Sequence, residues 1–195
     1  MASREQVVYF EDKAAFEENT RQVVGLVSEY LKGHPELRHV IAASSTGYTA
    51  AQFARADLGG AHLVAVKMSQ AVDAIYGVKL GAEHTKVLEE RKVPLVMGTH
   101  ALTGAADHAL VDKFRALPPT TLIANVLYLF SQGMKVCLEI TAMAVDAGRV
   151  PEGVEAIAVA GTDQGCDTAV VLRTASSTHF FDLEVRKLLA KPLQK

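Results

Sequence analysis

Cysteine is scarce: the 195-residue chain has two, Cys137 and Cys166. That excludes a disulfide framework and any cysteine-based zinc pattern. An excess of basic charge is also missing. With a formal net charge of −2, the chain carries no electrostatic footprint for nucleic acid or an anionic membrane. The opening residues Met1-Ala2-Ser3-Arg4-Glu5-Gln6 hold no apolar signal core, which leads to the expectation of a cytoplasmic protein. The Gly-x-Ser-x-Gly elbow of hydrolases, the zinc-protease helix motif and the kinase signatures do not occur. Long linkers, low-complexity tracts and internal repeats are absent too. What is present is an ordinary globular composition, 49% hydrophobic and 22% charged. The chain is long enough to bury a substantial core as one domain, here taken as 1–195.

The organising stretch runs from His39 to Arg55. An apolar run, His39-Val40-Ile41-Ala42-Ala43, enters Ser44-Ser45-Thr46-Gly47-Tyr48-Thr49, and Ala50-Ala51-Gln52-Phe53-Ala54-Arg55 continues as helix. Strand, glycine turn and helix start is the layout in which free N–H groups and a helix dipole face an anion. The hydroxyls add donors without adding charge. The loop matches neither the Walker nor the dinucleotide glycine pattern. The same serines and threonine also suit an ordinary N-cap.

Upstream, Val7 to Phe10 is a short strand or packing arm, and Asp12 is expected to cap a helix from Lys13 to Leu31. Residues 1–35 thus form an N-terminal strand and helix extension. Downstream, Ala61 to Val66 is an uninterrupted apolar run, as expected of a strand buried on both faces of a parallel sheet. Lys67 follows it, either as a surface lysine or as a ligand contact. Residues 68–81 read as a lid or a partner-covering segment, whose apolar content favours self-association. A helix over 82–91, a proline-led strand over 93–97 and a helix over 105–117 follow, with the second polar loop, Gly98-Thr99-His100-Ala101-Leu102-Thr103-Gly104, between the last two. His108 reads as a surface helix residue.

The longest expected element is one helix from Leu122 to Ala147. Asn125, Tyr128, Gln132, Lys135 and Glu139 recur on one face of it, as a solvent stripe or with Asn125 facing a ligand or subunit boundary. Charges at Lys135 and Glu139 rule out a membrane span there. Glu155 to Gly161 and Thr168 to Arg173 are strands joined so closely that they must be antiparallel. Between them lies the third polar loop, Gly161-Thr162-Asp163-Gln164-Gly165-Cys166-Asp167-Thr168. Cys166 has no neighbouring histidine to make it a nucleophile. Residues 176–195 form a C-terminal extension, with a further strand near Phe181 to Val185. The expected product is a three-layer α/β/α domain. Its ligand crevice would lie where the three loops leave the sheet, beside the reversal of strand order. Candidate contacts are Ser44, Ser45, Thr46, Gly47, Tyr48, Thr49, Lys67, Gly98, Thr99, His100, Ala101, Asn125, Gly161, Thr162, Asp163, Gly165, Asp167 and Thr168. No metal is expected.

The run from Val40 to Ala50 resembles the strand and effector-phosphate loop of the pyruvate kinase C-terminal domain. Ile157 to Gly161 with Gly165 to Thr168 resembles that domain's later glycine loop. Together with Gly98 to Gly104, Gln132 to Cys137, Asp146-Ala147-Gly148 and Phe180 to Leu183, they make the chain similar to a stand-alone family named after that domain, which lacks the catalytic barrel. The resemblance implies a mixed five-stranded sheet of order 3-2-1-4-5, last strand antiparallel. It also implies a bound phosphorylated ligand such as FMN, held at Ser44, Ser45, Thr46, Gly47 and Thr49. Pyruvate kinase activity is not implied. Ser45 and Tyr48 stand where the kinase loop commonly carries cations, which disfavours a sugar bisphosphate. Tyr48 suits stacking on a flat ring or packing on the adjacent helix. Two alternatives accompany the binding reading: a flavin-dependent oxidoreductase with Thr99 and His100 beside the ring, and a regulatory or oligomerisation module sensing a sugar phosphate.

Overall fold

Runs of alanine and β-branched residues make the central strands, and alternation along them feeds two cores. The computed structural model describes residues 6–194. In chain order the elements are β1 (Val8–Phe10), α1 (Phe16–Gly33), β2 (His39–Ala43), α2 (Tyr48–Arg55), β3 (His62–Met68), α3 (Gln70–Tyr76) and α4 (Ala82–Glu90). Then follow β4 (Leu95–Gly98), α5 (Ala105–Phe114), α6 (Pro119–Leu127), α7 (Gln132–Asp146), β5 (Glu155–Ala160), β6 (Thr168–Arg173), a 3-10 turn (Phe180–Asp182) and β7 (Glu184–Pro192). The ends of the two extensions, residues 1–5 and Lys195, lie outside the described residues.

The sheet has seven strands in the order β1-β7-β6-β5-β2-β3-β4. Its inner part, β4-β3-β2-β5-β6, has the expected 3-2-1-4-5 order, with β5 and β6 antiparallel. The count of five strands is corrected to seven, because the two extensions join the sheet. β7 pairs antiparallel with β6, and β1 pairs parallel with β7, Tyr9 opposite Lys191. Three residues cannot form a strand alone, so β1 exists because β7 offers it an edge. The order reverses between β2 and β5, which run parallel with Ile41 opposite Ala158.

Side-chain alternation splits the core. Val40 and Ala42 face α1 and α2 with Val23, Val27 and Phe53. Ile41 faces the other way, onto Ile140 and Met143 of α7. Cys166 belongs to the first cluster and Cys137 to the α7 side. The sheet therefore lies between them, and both are free. Among the described residues no helix is long and apolar enough to cross a membrane.

Four local expectations need correction. Asp12 does not cap α1. Its carboxylate accepts from Ala14 N–H in the preceding turn, and the helix starts at Phe16. The long helix is two helices: Ser131 is an N-cap whose hydroxyl accepts from Met134 N–H at 2.9 Å, starting α7 afresh. The five-residue polar stripe is thereby broken, and Lys135 and Glu139 are buried rather than wet. The strand placed at Phe181 begins instead at Glu184, after the 3-10 turn.

Candidate functional site

β2 ends at Ala43, and Ser44 stays tied to the sheet through its N–H, which donates to Val66 O at 2.8 Å. The chain then turns sharply. Gly47 takes φ +87° as the N-cap of α2, a conformation that favours glycine. A Cβ at Gly47 would also stand 2.6 Å from His84 Cβ. No side chain caps α2; Thr46 Oγ1 reaches only to 3.4 Å from Tyr48 N. Ser44 and Ser45 are therefore not spent on capping. Tyr48 N–H is taken by the Thr46 hydroxyl, and the N–H groups of Thr49 and Ala50 have no intrahelical acceptor. The Ser44 hydroxyl is buried without a partner.

The third loop faces this turn. Asp163 and Gly165 take positive φ, and Gly165 packs against Thr20 and Phe16 of α1, with room for no side chain. Cys166 N–H donates to Thr20 Oγ1 at 2.9 Å. Asp167 folds inward: its carboxylate accepts from Thr162 N–H at 3.1 Å and from the Thr168 hydroxyl at 2.7 Å. Thr168 also meets Ser131 Oγ at 3.3 Å, at the start of α7. Asp167 and Thr168 thus lock the third loop to α7, leaving the loop's tip at Gln164 and the unpartnered, buried Thr162 hydroxyl. A Cβ at Gly161 would stand 2.7 Å from Gly165 O, so the loop closes tightly on itself.

Where the first and third loops approach, a cleft of about 210 Å³ is lined by Phe16, Glu17, Thr46, Tyr48, His84 and Gln164. It shares Phe16, Glu17 and Tyr48 with a wider, open cavity of about 610 Å³ along α1, whose other lining residues include Glu18, Arg21 and Gln52. Tyr48 stands edge-on between Phe16 and His84, its ring centroid 5.7 Å from each. Burial, then the Glu17 and Cys166 charges, raise its phenol pKa. The one cation in these linings, Arg21, is paired with Glu18. His84 Nδ1 is buried without a partner. Phe16, Glu17, His84 and Gln164 are contacts that the sequence did not single out. Gln164 lay in a recognised loop, but Phe16 and His84 come from helices remote in sequence.

Of the predicted contacts only Thr46 and Tyr48 line the cavities, and Lys67, Asn125 and the second loop stand elsewhere. Lys67 is buried and paired with Asp73 of α3; its reading as a surface lysine is corrected. That pair anchors residues 68–81 as a strap, which ends with Gly81 N–H donating to Thr46 O at 2.9 Å. Gly98 ends β4 and Thr99, His100 and Ala101 follow it, two strands and about 10 Å from β2, and they line neither cavity. Their loop sits on α7 instead. Leu102 N–H donates to Glu139 Oε1 at 2.9 Å, and Lys135 Nζ bonds Glu139 Oε2 at 2.5 Å and Thr103 Oγ1 at 3.0 Å. Burial lowers the His100 pKa, with Glu139 opposing and Lys135 reinforcing that shift. Asn125 is exposed on α6 and donates to its own helix at Thr121 O.

One cluster imitates a catalytic triad. Ser176, His179 and Glu152 touch, but Ser176 Oγ and Glu152 Oε1 both approach the same nitrogen, His179 Nδ1, at 3.3 and 3.0 Å. A relay needs them on opposite ring nitrogens, so this is a turn lock. No group of three or more metal-ligating side chains occurs among the described residues.

No protein-family model matches the chain. Among solved structures it is similar to an NMN synthetase from Francisella tularensis, at 15% identity and a TM-score of 0.35, over 71% of this chain and 53% of that one. The chain thus spans about half the length of that protein.

Proposed function

We propose that this chain binds a phosphorylated small molecule of mononucleotide type, FMN foremost, with its phosphate at the 44–49 turn and its ring system beside Tyr48. The observation that carries the reading is the uncapped start of α2 above the buried, unpartnered Ser44 hydroxyl. Buried polar groups in native folds normally have partners, and an anion at a helix N-terminus supplies one. The unpartnered Thr162 hydroxyl, in the loop that supplies Gln164, supports the same place.

Size and chemistry agree. The joined cavities fall in the range of about 300–1,000 Å³ usual for small ligands. Phe16 and Tyr48 give an aromatic wall, and Glu17 and Gln52 give acceptors for sugar or polyol hydroxyls. No unpaired Lys or Arg lines either cavity, which favours one phosphate held by neutral donors over a bisphosphate held by charge. The resemblance to stand-alone pyruvate kinase C-terminal-like proteins supports the same turn. Titration of FMN into the protein, followed by flavin fluorescence, tests the reading. Saturable binding that Thr46→Asp weakens at least about tenfold is expected, since a carboxylate there repels the phosphate. Absence of FMN binding, or tighter binding of a sugar bisphosphate, would overturn it.

A further inference from the structure

The α5–α6 hairpin gives almost nothing to its own core. Among its described side chains none in α5 is buried, and in α6 only Ala124 is. Helices of 10 and 9 residues are marginal in water without tertiary packing. The Thr120 hydroxyl donates to Asp107, tying α6 to α5, but apart from Ala124 and Leu127 the larger apolar residues are mostly exposed. Leu110 and Phe114 are exposed one turn apart on α5, Leu117 follows, Leu122 and Val126 are exposed one turn apart on α6, and Leu129 and Phe130 are exposed in the turn after it. Exposure reaches 65% at Phe114 and 67% at Leu129.

Two properties identify the occupant. No charged residue lies between Arg115 and Lys135, so the α6 half of this face offers nothing to an acidic peptide, a nucleic acid or a charged headgroup, whereas α5 sets Asp112 and Lys113 beside its leucine and phenylalanine, with the Lys113 ammonium over the Phe114 ring. An uncharged apolar stripe is complementary to itself, as a two-fold interface requires. The seven exposed side chains present roughly 700 Å² of apolar surface, close to the ~800 Å² per partner of a stable interface. A monomer rarely leaves so much apolar surface on one segment in water. We infer that the α5–α6 face joins two copies of this chain, with α6 packed antiparallel on α6 of the second copy and Val126 near the two-fold axis. The same contact supplies the packing that α5 and α6 lack within one chain.

Light scattering on the full chain, at micromolar concentration, tests this. A mass twice the 20.9 kDa of the chain is expected. Val126→Lys and Leu129→Lys should each raise the dimer dissociation constant at least about 100-fold. Both positions are half-exposed or more, so the far-UV circular dichroism should not change. An equimolar mixture of Val126→Lys and Val126→Glu chains should recover the dimer. A monomeric wild-type chain would overturn the proposal, as would a dimer indifferent to both lysine substitutions. A mixture that stays monomeric would overturn the antiparallel register.

Discussion

Lys135 and Glu139 show what a single buried pair does in this fold. Both side chains are nearly inaccessible, and Glu139 also accepts from Leu102 N–H. Removing one partner of such a pair leaves an uncompensated charge, which costs about 3–5 kcal/mol. Lys135→Met is therefore expected to lower the unfolding free energy by that much, read from the shift of the denaturant midpoint. The double change Lys135→Met with Glu139→Gln keeps an acceptor for Leu102 and should recover most of the loss, a non-additivity that chemical denaturation measures. Glu152 makes a separate, pH-dependent contribution. Hydrogen bonds from Ser176 N–H, the Ser176 hydroxyl and His179 lower its pKa from 4.5 to about 2. The folded state thus holds the proton less tightly than the unfolded one. The stabilisation is complete above pH 4.5 and is lost as pH falls from 4.5 towards about 2. Glu152→Gln should remove that part of the acid dependence, and amide exchange at Ser176 should rise already at neutral pH.

Among the elements, Ser131 has a role out of proportion to its size. It ends the apolar stretch that began at Pro119, caps α7, and reaches Thr168 at the foot of the third loop. Ser131→Ala should cost about 1–2 kcal/mol, the upper range for a lost N-cap, and the measurement is a thermal or urea melt. This break was not legible in the sequence. Apolar periodicity runs through it, and only Ser131 followed by Gly133 hinted at a stop. Polar spacing made Lys135 and Glu139 look wet because their partners, Thr103 and Leu102, lie beyond the reach of local pattern. The core strands were legible because buried parallel strands read as continuous apolar runs. Strands β1 and β7 were not expected to meet, since their pairing joins the two ends of the chain. At the proposed ligand crevice the first and third loops were readable from glycine and hydroxyl content. Phe16 and His84 were not, because helix packing alone brings them to Tyr48.

For the whole molecule, an open cleft lies where the loops after β2 and β5 meet, the two strands between which the order reverses. Thr46, Gln52, Gln164 and the Phe16–Tyr48 wall line it together with Glu17, Glu18 and Arg21, and the buried pair Lys67–Asp73 holds the strap beside it. The α5–α6 hairpin belongs to separate elements from the cavity linings, so assembly and ligand binding are expected to respond to different substitutions. The most direct measurement is the absorption spectrum of freshly purified protein, with mass spectrometry of the ligand released from it. Near-stoichiometric FMN, lost in the double change Ser45→Asp with Thr46→Asp while the fold persists, is the expected result. Colourless protein that releases no phosphorylated ligand and takes up no added FMN would contradict it.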